Sequence, residues 1–132
     1  MQENNSTILI YQTEDGVTKI ETRLQEETVW LTQAQLCELF QKSKSTISEH
    51  IKNIFEEREL SEDSTVRKFR TVQIEGKREV ERTVDFYNLD VIISVGYRVK
   101  SHRGTQFRIW ATQRLKEYLI KGFTMNDELL RD

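Results

Sequence analysis

The chain has 132 residues, of which 36% are hydrophobic and 32% are charged, and it contains a single cysteine. This length suits one compact domain, and the composition is well short of that of a disordered chain. A single cysteine excludes an internal disulfide, so we interpret Cys37 as a small buried hydrophobe in a reducing compartment. Neither a signal-peptide pattern nor a long apolar run is present, which predicts a cytoplasmic protein without a membrane span.

The net charge of −2 argues against binding to nucleic acid, but the charges are unevenly distributed. Residues 1–64 hold 6 Lys or Arg against 13 Asp or Glu, a net charge of −7. Residues 65–132 hold 14 Lys or Arg against 9 Asp or Glu, a net charge of +5. A protein polarised in this way can present one basic face to phosphates while it remains acidic elsewhere.

Short apolar runs in residues 7–31 predict a small antiparallel sheet of two or three strands. TILIYQ and VTKIETRL flank the turn signal Glu14-Asp15-Gly16, and TVWL follows the interruption at Gln25-Glu26-Glu27. Such a sheet is marginally stable alone, so we expect residues 1–31 to form an N-terminal β-hairpin unit packed on the core of the rest of the chain.

The pattern becomes helical at Thr32, a good N-cap with Gln35 in the capping-box position. Leu36, Leu39 and Phe40 have the spacing of one helical face. We expect a break at residues 41–43 and a second helix from Ser43 or Ser45. The apolar face of that helix comprises Ile47, Ile51, Ile54 and Phe55.

Two extended runs around Glu75-Gly76-Lys77 predict a hairpin, with a bulge or twist because its apolar residues alternate imperfectly. The run LDVIISVGY predicts a short buried helix that is capped by Asn88 or Asp90 and has Gly96 near its end. An amphipathic helix should follow from Thr105 to Gly122. Its expected inward residues are Phe107, Trp110, Ala111, Leu115, Tyr118 and Leu119.

Two helices joined by a short turn in residues 32–55 favour a DNA-binding helix-turn-helix, whose second helix enters the major groove. The outward residues of that helix have the hydroxyl, imidazole and amine groups that bind bases and phosphates. They are Lys44, Ser45, Thr46, Ser48, His50 and Lys52. The alternative is a helical hairpin with an ordinary solvated face. The turn also has Gln41-Lys42 where such motifs often have glycine, and Glu49 would repel phosphate unless it accepts from a cytosine amino group.

The hairpin after the two helices would then be the wing of a winged helix. Its predicted phosphate contacts are Arg67, Lys68, Arg70, Lys77 and Arg78, and Arg82 adds to its positive charge. Glu75, Glu79 and Glu81 dilute that charge. The alternative is a charged edge strand protected against aggregation.

Residues 94–121 hold seven Lys or Arg against one acid, Glu117. Arg98, Lys100 and Arg103 are further candidate DNA contacts. The segment Ser101-His102-Arg103-Gly104 reads as a polar loop that can hold an anion. No acid or nucleophile elbow accompanies His102 and Ser101, so we expect no catalysis there. Nor is there a GxGxxG, P-loop or CxxC motif. Asp85 and Asp90 are interpreted as a strand end and a helix cap.

The runs ILIYQTEDG, TVWLTQAQLCELF, STISEHIKNIFEEREL and YNLDVIISVGYRVKSHRGTQFRIWATQRLKEYLIKGF resemble the RhuM family, bacterial proteins described as virulence-associated. The resemblance runs from about Ile8 to about Asp127, and YRVKSHRGTQFRIWAT carries it most strongly. It implies a DNA-binding or regulatory protein, often found near mobile elements, and supplies no catalytic residue. The RxxSxRG…FRxW segment is also similar, more weakly, to phage antirepressor-type proteins. Family members generally continue with a further helical region, so we expect this chain to match their N-terminal part.

Together these observations predict an α+β fold: a winged helix-turn-helix with an N-terminal β-hairpin and a C-terminal amphipathic helix. One compact unit should comprise residues 1–31, the winged helix-turn-helix at 32–95, and a basic loop with the last helix at 96–132. The expected function is transcriptional or mobile-element regulation through double-stranded DNA, as a homodimer and without enzymatic activity, cofactor or metal. The alternative is a protein-interaction module, degenerate winged helix or antirepressor-like, that binds a partner protein instead.

Overall fold

The structure, a computed structural model, describes residues 7–130, with side chains as far as residue 121. Residues 1–6 and 131–132, which the expected domain boundaries included, lie outside it. The predicted α+β class is confirmed. In chain order the elements are β1 (Thr7–Gln12), β2 (Lys19–Gln25), β3 (Thr28–Thr32), α1 (Gln33–Phe40), α2 (Lys44–Glu56), α3 (Glu62–Thr65), β4 (Val66–Glu75), β5 (Arg78–Asn88), α4 (Leu89–Val99) and α5 (His102–Leu130).

The five strands form one antiparallel sheet in the order β1-β2-β3-β5-β4. Pairing of β3 with β5, which places Leu31 opposite Tyr87, joins the N-terminal strands to the later hairpin. Along β4 and β5 the register is unbroken from Val66 opposite Tyr87 to Glu75 opposite Arg78. The bulge proposed from the imperfect alternation is therefore wrong. Those side chains alternate poorly because most of this hairpin is exposed on both faces.

One face of the sheet packs against the helices. In β2 the buried residues Ile20, Thr22 and Leu24 alternate with more exposed ones, as a strand with a single covered face requires. The ring of Tyr11 in β1 makes edge contacts at 5.1 Å between centroids with both Phe107 and Trp110 of α5. Each such contact is worth roughly 0.5–1.5 kcal/mol beyond area burial. The first strands are thereby held on the last helix.

A second apolar cluster covers the other face of the sheet where the hairpin begins. Trp30 is 1% exposed, and its ring lies 5.7 Å from that of Phe69, which in turn lies 5.2 Å from Phe86. The Arg23 guanidinium lies over the Phe69 ring at 4.4 Å. Because both faces of β3 are covered, its sequence is a continuous apolar run without alternation.

Local capping fixes the boundaries of the first two helices. The Thr32 hydroxyl accepts a hydrogen bond from the Gln35 amide at 3.2 Å, and the Gln35 side chain accepts one from the Thr32 amide at 2.9 Å. This confirms the capping box. Gln41 ends α1 in the left-handed conformation, with φ 55° and ψ 50°, where glycine is usual. Its side chain donates to the Glu38 carbonyl at 2.7 Å.

The C-terminal helices correct several expectations. Asn88 caps α4, which confirms the first of the two predicted caps, Asn88 or Asp90. However, α5 begins at His102, so residues 102–104 form a helical turn and not a loop, and it continues past Gly122 to Leu130. Tyr118 and Leu119, predicted to face inward, are 45% and 47% exposed because the long helix extends beyond the core, where its packed residues end at Leu115. Cys37 is half-buried at the edge of the core.

None of the helices within residues 7–130 is both long enough and apolar enough to cross a lipid bilayer.

Replacing Thr32 by alanine should lower the free energy of unfolding by about 1 kcal/mol, because α1 loses the side-chain acceptor at its first turn. Thr32→Ser keeps the hydroxyl and is the matched control. Urea denaturation of both variants and the wild type measures the difference. Equal stability of the alanine and serine variants would show that the Thr32 hydrogen bond contributes nothing.

The crossing of α4 and α5 gives opposite expectations for two glycines. A Cβ at Gly104 would lie 3.0 Å from the Phe40 ring and 3.3 Å from the Gly96 Cα, whereas a Cβ at Gly96 meets nothing closer than 3.4 Å. Gly104→Ala should therefore lower the free energy of unfolding by about 1–3 kcal/mol through overpacking. Gly96→Ala should be neutral, or stabilising by up to about 1 kcal/mol through helix propensity. Urea denaturation that ranks the two variants in the reverse order would contradict this packing.

Candidate nucleic-acid interface

The outward surface of α2 carries all six residues that the sequence singled out on this helix. Lys44, Ser45, Ser48 and Lys52 are exposed, and Thr46 and His50 are half-buried. Their polar side chains surround a buried apolar face, which consists of Ile47, Ile51 and Ile54. The buried face holds α2 against the core while the polar face remains accessible.

The first turn of α2 is internally braced. The Ser43 hydroxyl accepts from the Thr46 amide at 3.2 Å, and it also contacts the hydroxyls of Ser45 at 3.2 Å and Thr46 at 2.9 Å. The Gln33 side chain donates to the Lys44 carbonyl at 3.3 Å, which ties the start of α1 to the start of α2. The hydroxyls at this end of α2 are therefore hydrogen-bonded to one another and to the helix backbone.

Most of the predicted cations of the hairpin have acidic neighbours. Lys68 lies 2.6 Å from Asp85, and Arg70 lies 3.4 Å from Glu81. Exposed ion pairs of this kind are worth only about 0–1 kcal/mol, so such a cation can exchange its carboxylate for a phosphate at little cost. Lys77 and Arg78 are exposed at the turn of the hairpin.

Arg67 has a structural role at the base of the hairpin. It lies 3.4 Å from Glu26, donates to the carbonyls of Asp63 and Val66 at 2.9 Å, and stands over the Trp30 ring at 5.7 Å. Of the five predicted hairpin contacts, it is the one most engaged within the protein.

A groove of about 960 Å³ lies between the hairpin and the N-terminal ends of α1 and α2. Lys44 of α2 and Arg70 of β4 both line it, so the structure brings together one member of each predicted cationic set. Sequence reasoning did not identify the polar residues beside them. These are Glu21, Arg23, Gln33, Thr71 and Gln73. The one sequence feature that could have indicated them was the alternation of polar Thr71 and Gln73 with apolar Val72 and Ile74.

The three predicted contacts of the C-terminal segment do not form one surface. Arg98 donates to Glu57 at 2.9 Å and to Glu59 at 2.7 Å, which connects α4 to the end of α2. Arg103 donates to the Leu39 carbonyl at the end of α1 and contacts the Thr18 hydroxyl at 3.4 Å. Both guanidiniums thus make contacts within the fold. Lys100 is exposed and lies in a separate cleft.

The aspartates Asp85 and Asp90 have structural roles. Asp85 pairs with Lys68 in the hairpin, and Asp90 lies in the first turn of α4. The cap itself is Asn88, so the interpretation of Asp90 as a cap is wrong. Among the side chains described, no group of three or more His, Cys, Asp or Glu is placed to hold a metal ion.

The chain belongs to the virulence protein RhuM family, whose family model matches residues 64–132. The matched segment runs from α3 through the hairpin, α4 and α5. It is shorter than the resemblance read from the sequence, and α1 and α2 lie outside it. No curated protein and no solved structure matches the chain.

The ion pair at the end of α2 predicts a pH dependence of stability. Hydrogen bonds from Arg98 and then Ser94 lower the pKa of Glu59 below its ordinary value of 4.5. Its ionised form therefore stabilises the folded state at neutral pH, and this contribution is lost as the pH falls below 4.5 and through the folded-state pKa.

Glu59→Gln should accordingly be slightly less stable than the wild type at neutral pH, by less than about 1 kcal/mol because the pair is exposed. The difference should shrink as the solution is acidified. Chemical denaturation of both proteins from neutral to acidic pH measures it. A difference that stays constant throughout would assign the effect to something other than the Glu59 charge.

Proposed function

We propose that this protein binds double-stranded DNA through a winged helix-turn-helix formed by β3, α1, α2, β4 and β5, and acts as a transcriptional or mobile-element regulator. The observation that carries the proposal is the groove shared by Lys44 at the start of α2 and Arg70 on the hairpin. A duplex that contacted α2 would meet both cations.

The topology supports this proposal. A helix-turn-helix needs two helices with a short turn, and Gln41, Lys42 and Ser43 separate α1 from α2. The hairpin follows the second helix in the chain, and β5 pairs with β3 immediately before α1, so the base of the hairpin lies next to the start of α1. A wing requires this placement, with the anchored end near the helices and the far end exposed.

In the proposed complex the N-terminal part of α2 enters the major groove. Ser45, Ser48 and His50 face the base edges, and Lys44 and Lys52 neutralise phosphates. Glu49 is exposed on the same helix and accepts a hydrogen bond from a cytosine amino group, which favours particular sequences at the cost of some phosphate repulsion. Lys77 and Arg78 at the hairpin turn hold the DNA backbone.

A single unit of this size contacts a short site, so specific binding requires two copies on paired half-sites. We propose a homodimer. Its support is the distal part of α5, which extends beyond the core and exposes three apolar side chains. They are Tyr118 (45% exposed), Leu119 (47%) and Ile120 (66%).

One observation favours the alternative, a module that binds a partner protein. Val72 and Ile74 lie two residues apart on one face of β4 and are 61% and 73% exposed. An apolar pair on an exposed edge strand can pair with another chain. The two functions differ in their response to salt, since only contact with phosphates releases counterions.

Lys44→Glu/Lys52→Glu should lose DNA affinity by at least about tenfold, because it removes two phosphate contacts and adds repulsion. Fluorescence anisotropy with a random duplex, between about 50 and 200 mM salt, measures this loss. The logarithm of the wild-type association constant should fall against the logarithm of salt concentration with a slope of roughly −0.9 per phosphate contact. The variant should remain folded, because Glu at the first position of α2 suits the helix dipole and the Lys52–Glu56 pair is exposed.

The matched control is Lys19→Glu/Arg58→Glu, which makes the same charge change at exposed positions on β2 and after α2. It should retain most of the affinity. An equal loss in both variants would show that net charge, and not α2, governs binding. A folded wild-type protein that does not bind duplex at low salt would favour the partner-binding module.

A further inference from the structure

A second cleft, of about 280 Å³, lies where α4 and α5 cross and shares no lining residue with the groove beside α2. Three basic side chains line it, those of Lys100, His102 and Arg108. The hydroxyl groups of Ser101, Thr105 and Tyr97 line it as well. None of its lining residues is acidic. The cleft therefore concentrates donors and positive charge in a concave surface.

The crossing geometry builds this cleft. Gly96 and Gly104 let the two helices approach closely, since a Cβ on Gly104 would lie 3.3 Å from the Gly96 Cα. Lys100 ends α4 in the left-handed conformation, with φ 55° and ψ 49°, and this reverses the chain so that α5 starts beside the end of α4. Residues from both helices then line the same cleft although only eight positions separate Lys100 from Arg108.

The cations of the cleft differ from their neighbours in sequence. Arg98 and Arg103 are bound to other parts of the protein. Lys100 and Arg108 are exposed, and neither forms an ion pair with an acidic residue in the part of the chain that the structure describes. Their charge is left for an external anion.

We propose that this cleft binds a phosphate group. Arginine grips phosphate with two parallel hydrogen bonds and lysine adds a compact charge, so Arg108 and Lys100 provide complementary contacts. Tyr97 at the cleft is 76% exposed, and its ring offers a stacking face for a base or sugar attached to that phosphate. The phosphate belongs either to a nucleic-acid backbone or to a small phosphorylated molecule. The site does not depend on DNA binding by α2.

Titration with inorganic phosphate and with AMP, at constant ionic strength in chloride, tests the site. Amide NMR shifts at Gly96, Ser101 and Gly104 should change saturably in the wild type. Lys100→Ala/Arg108→Ala should raise the dissociation constant by at least about tenfold, since it removes two charge-assisted contacts. The matched control Lys19→Ala/Arg58→Ala, which removes two exposed cations outside both candidate sites, should leave that constant unchanged.

The same variants, titrated with duplex DNA across salt, distinguish the source of the phosphate. The cleft binds the DNA backbone if the slope of log affinity against log salt concentration becomes shallower by about 0.9 per lost contact in the cleft variant alone. Lost AMP binding with unchanged DNA binding assigns it to a small phosphorylated ligand. The proposal is overturned if neither phosphate nor AMP gives a saturable shift and the cleft variant binds DNA like the control. Phosphate shifts that persist in Lys44→Glu/Lys52→Glu would separate this site from the proposed role of α2.

Discussion

Pairing of β3 with β5 joins parts of the chain that lie more than fifty positions apart, and the remaining packing depends on it. Through this pairing Leu31 lies opposite Tyr87, and the N-terminal strands and the later hairpin become one sheet. The strand is covered by the helical core on one face and by the Trp30–Phe69–Phe86 cluster on the other. Val29 and Leu31 belong to the helical core and Trp30 to the aromatic cluster, so β3 connects the two apolar clusters.

The same pairing positions the candidate interface. β3 leads directly into α1, and β4 pairs with β5, so the base of the hairpin is held next to the start of α1. Its base is anchored by the aromatic cluster and by Arg67, whereas Lys77 and Arg78 at its far end remain exposed. A rigid base with an accessible end suits an element that must reach a phosphate backbone without disturbing the core. The groove beside α2 follows from this arrangement.

The basic residues of α4 and α5 have two different roles, since some connect elements of the fold and others remain exposed to solvent. Arg98 and Arg103 hold helices together through carboxylates and a carbonyl, and Lys100 and Arg108 face solvent in the cleft between α4 and α5. In sequence these residues form one basic segment. In the folded protein, Arg98 and Arg103 contact other elements, whereas Lys100 and Arg108 line the cleft between α4 and α5. Counting charges along the segment thus overestimates the area available to an external anion.

Local features were predictable from the sequence because their physics is local. The Thr32–Gln35 capping box and the Asn88 cap involve residues within three positions of each other, so the residue types alone indicate them. The strands of residues 7–32 and the inward face of α2 followed from alternation and helical spacing. Tertiary structure alone decided the single five-stranded sheet, the engagement of Arg98 and Arg103, and the groove that Lys44 and Arg70 share. Each depends on contacts between distant segments, whose partners are selected by the global packing of apolar surface and not by any short run of residues.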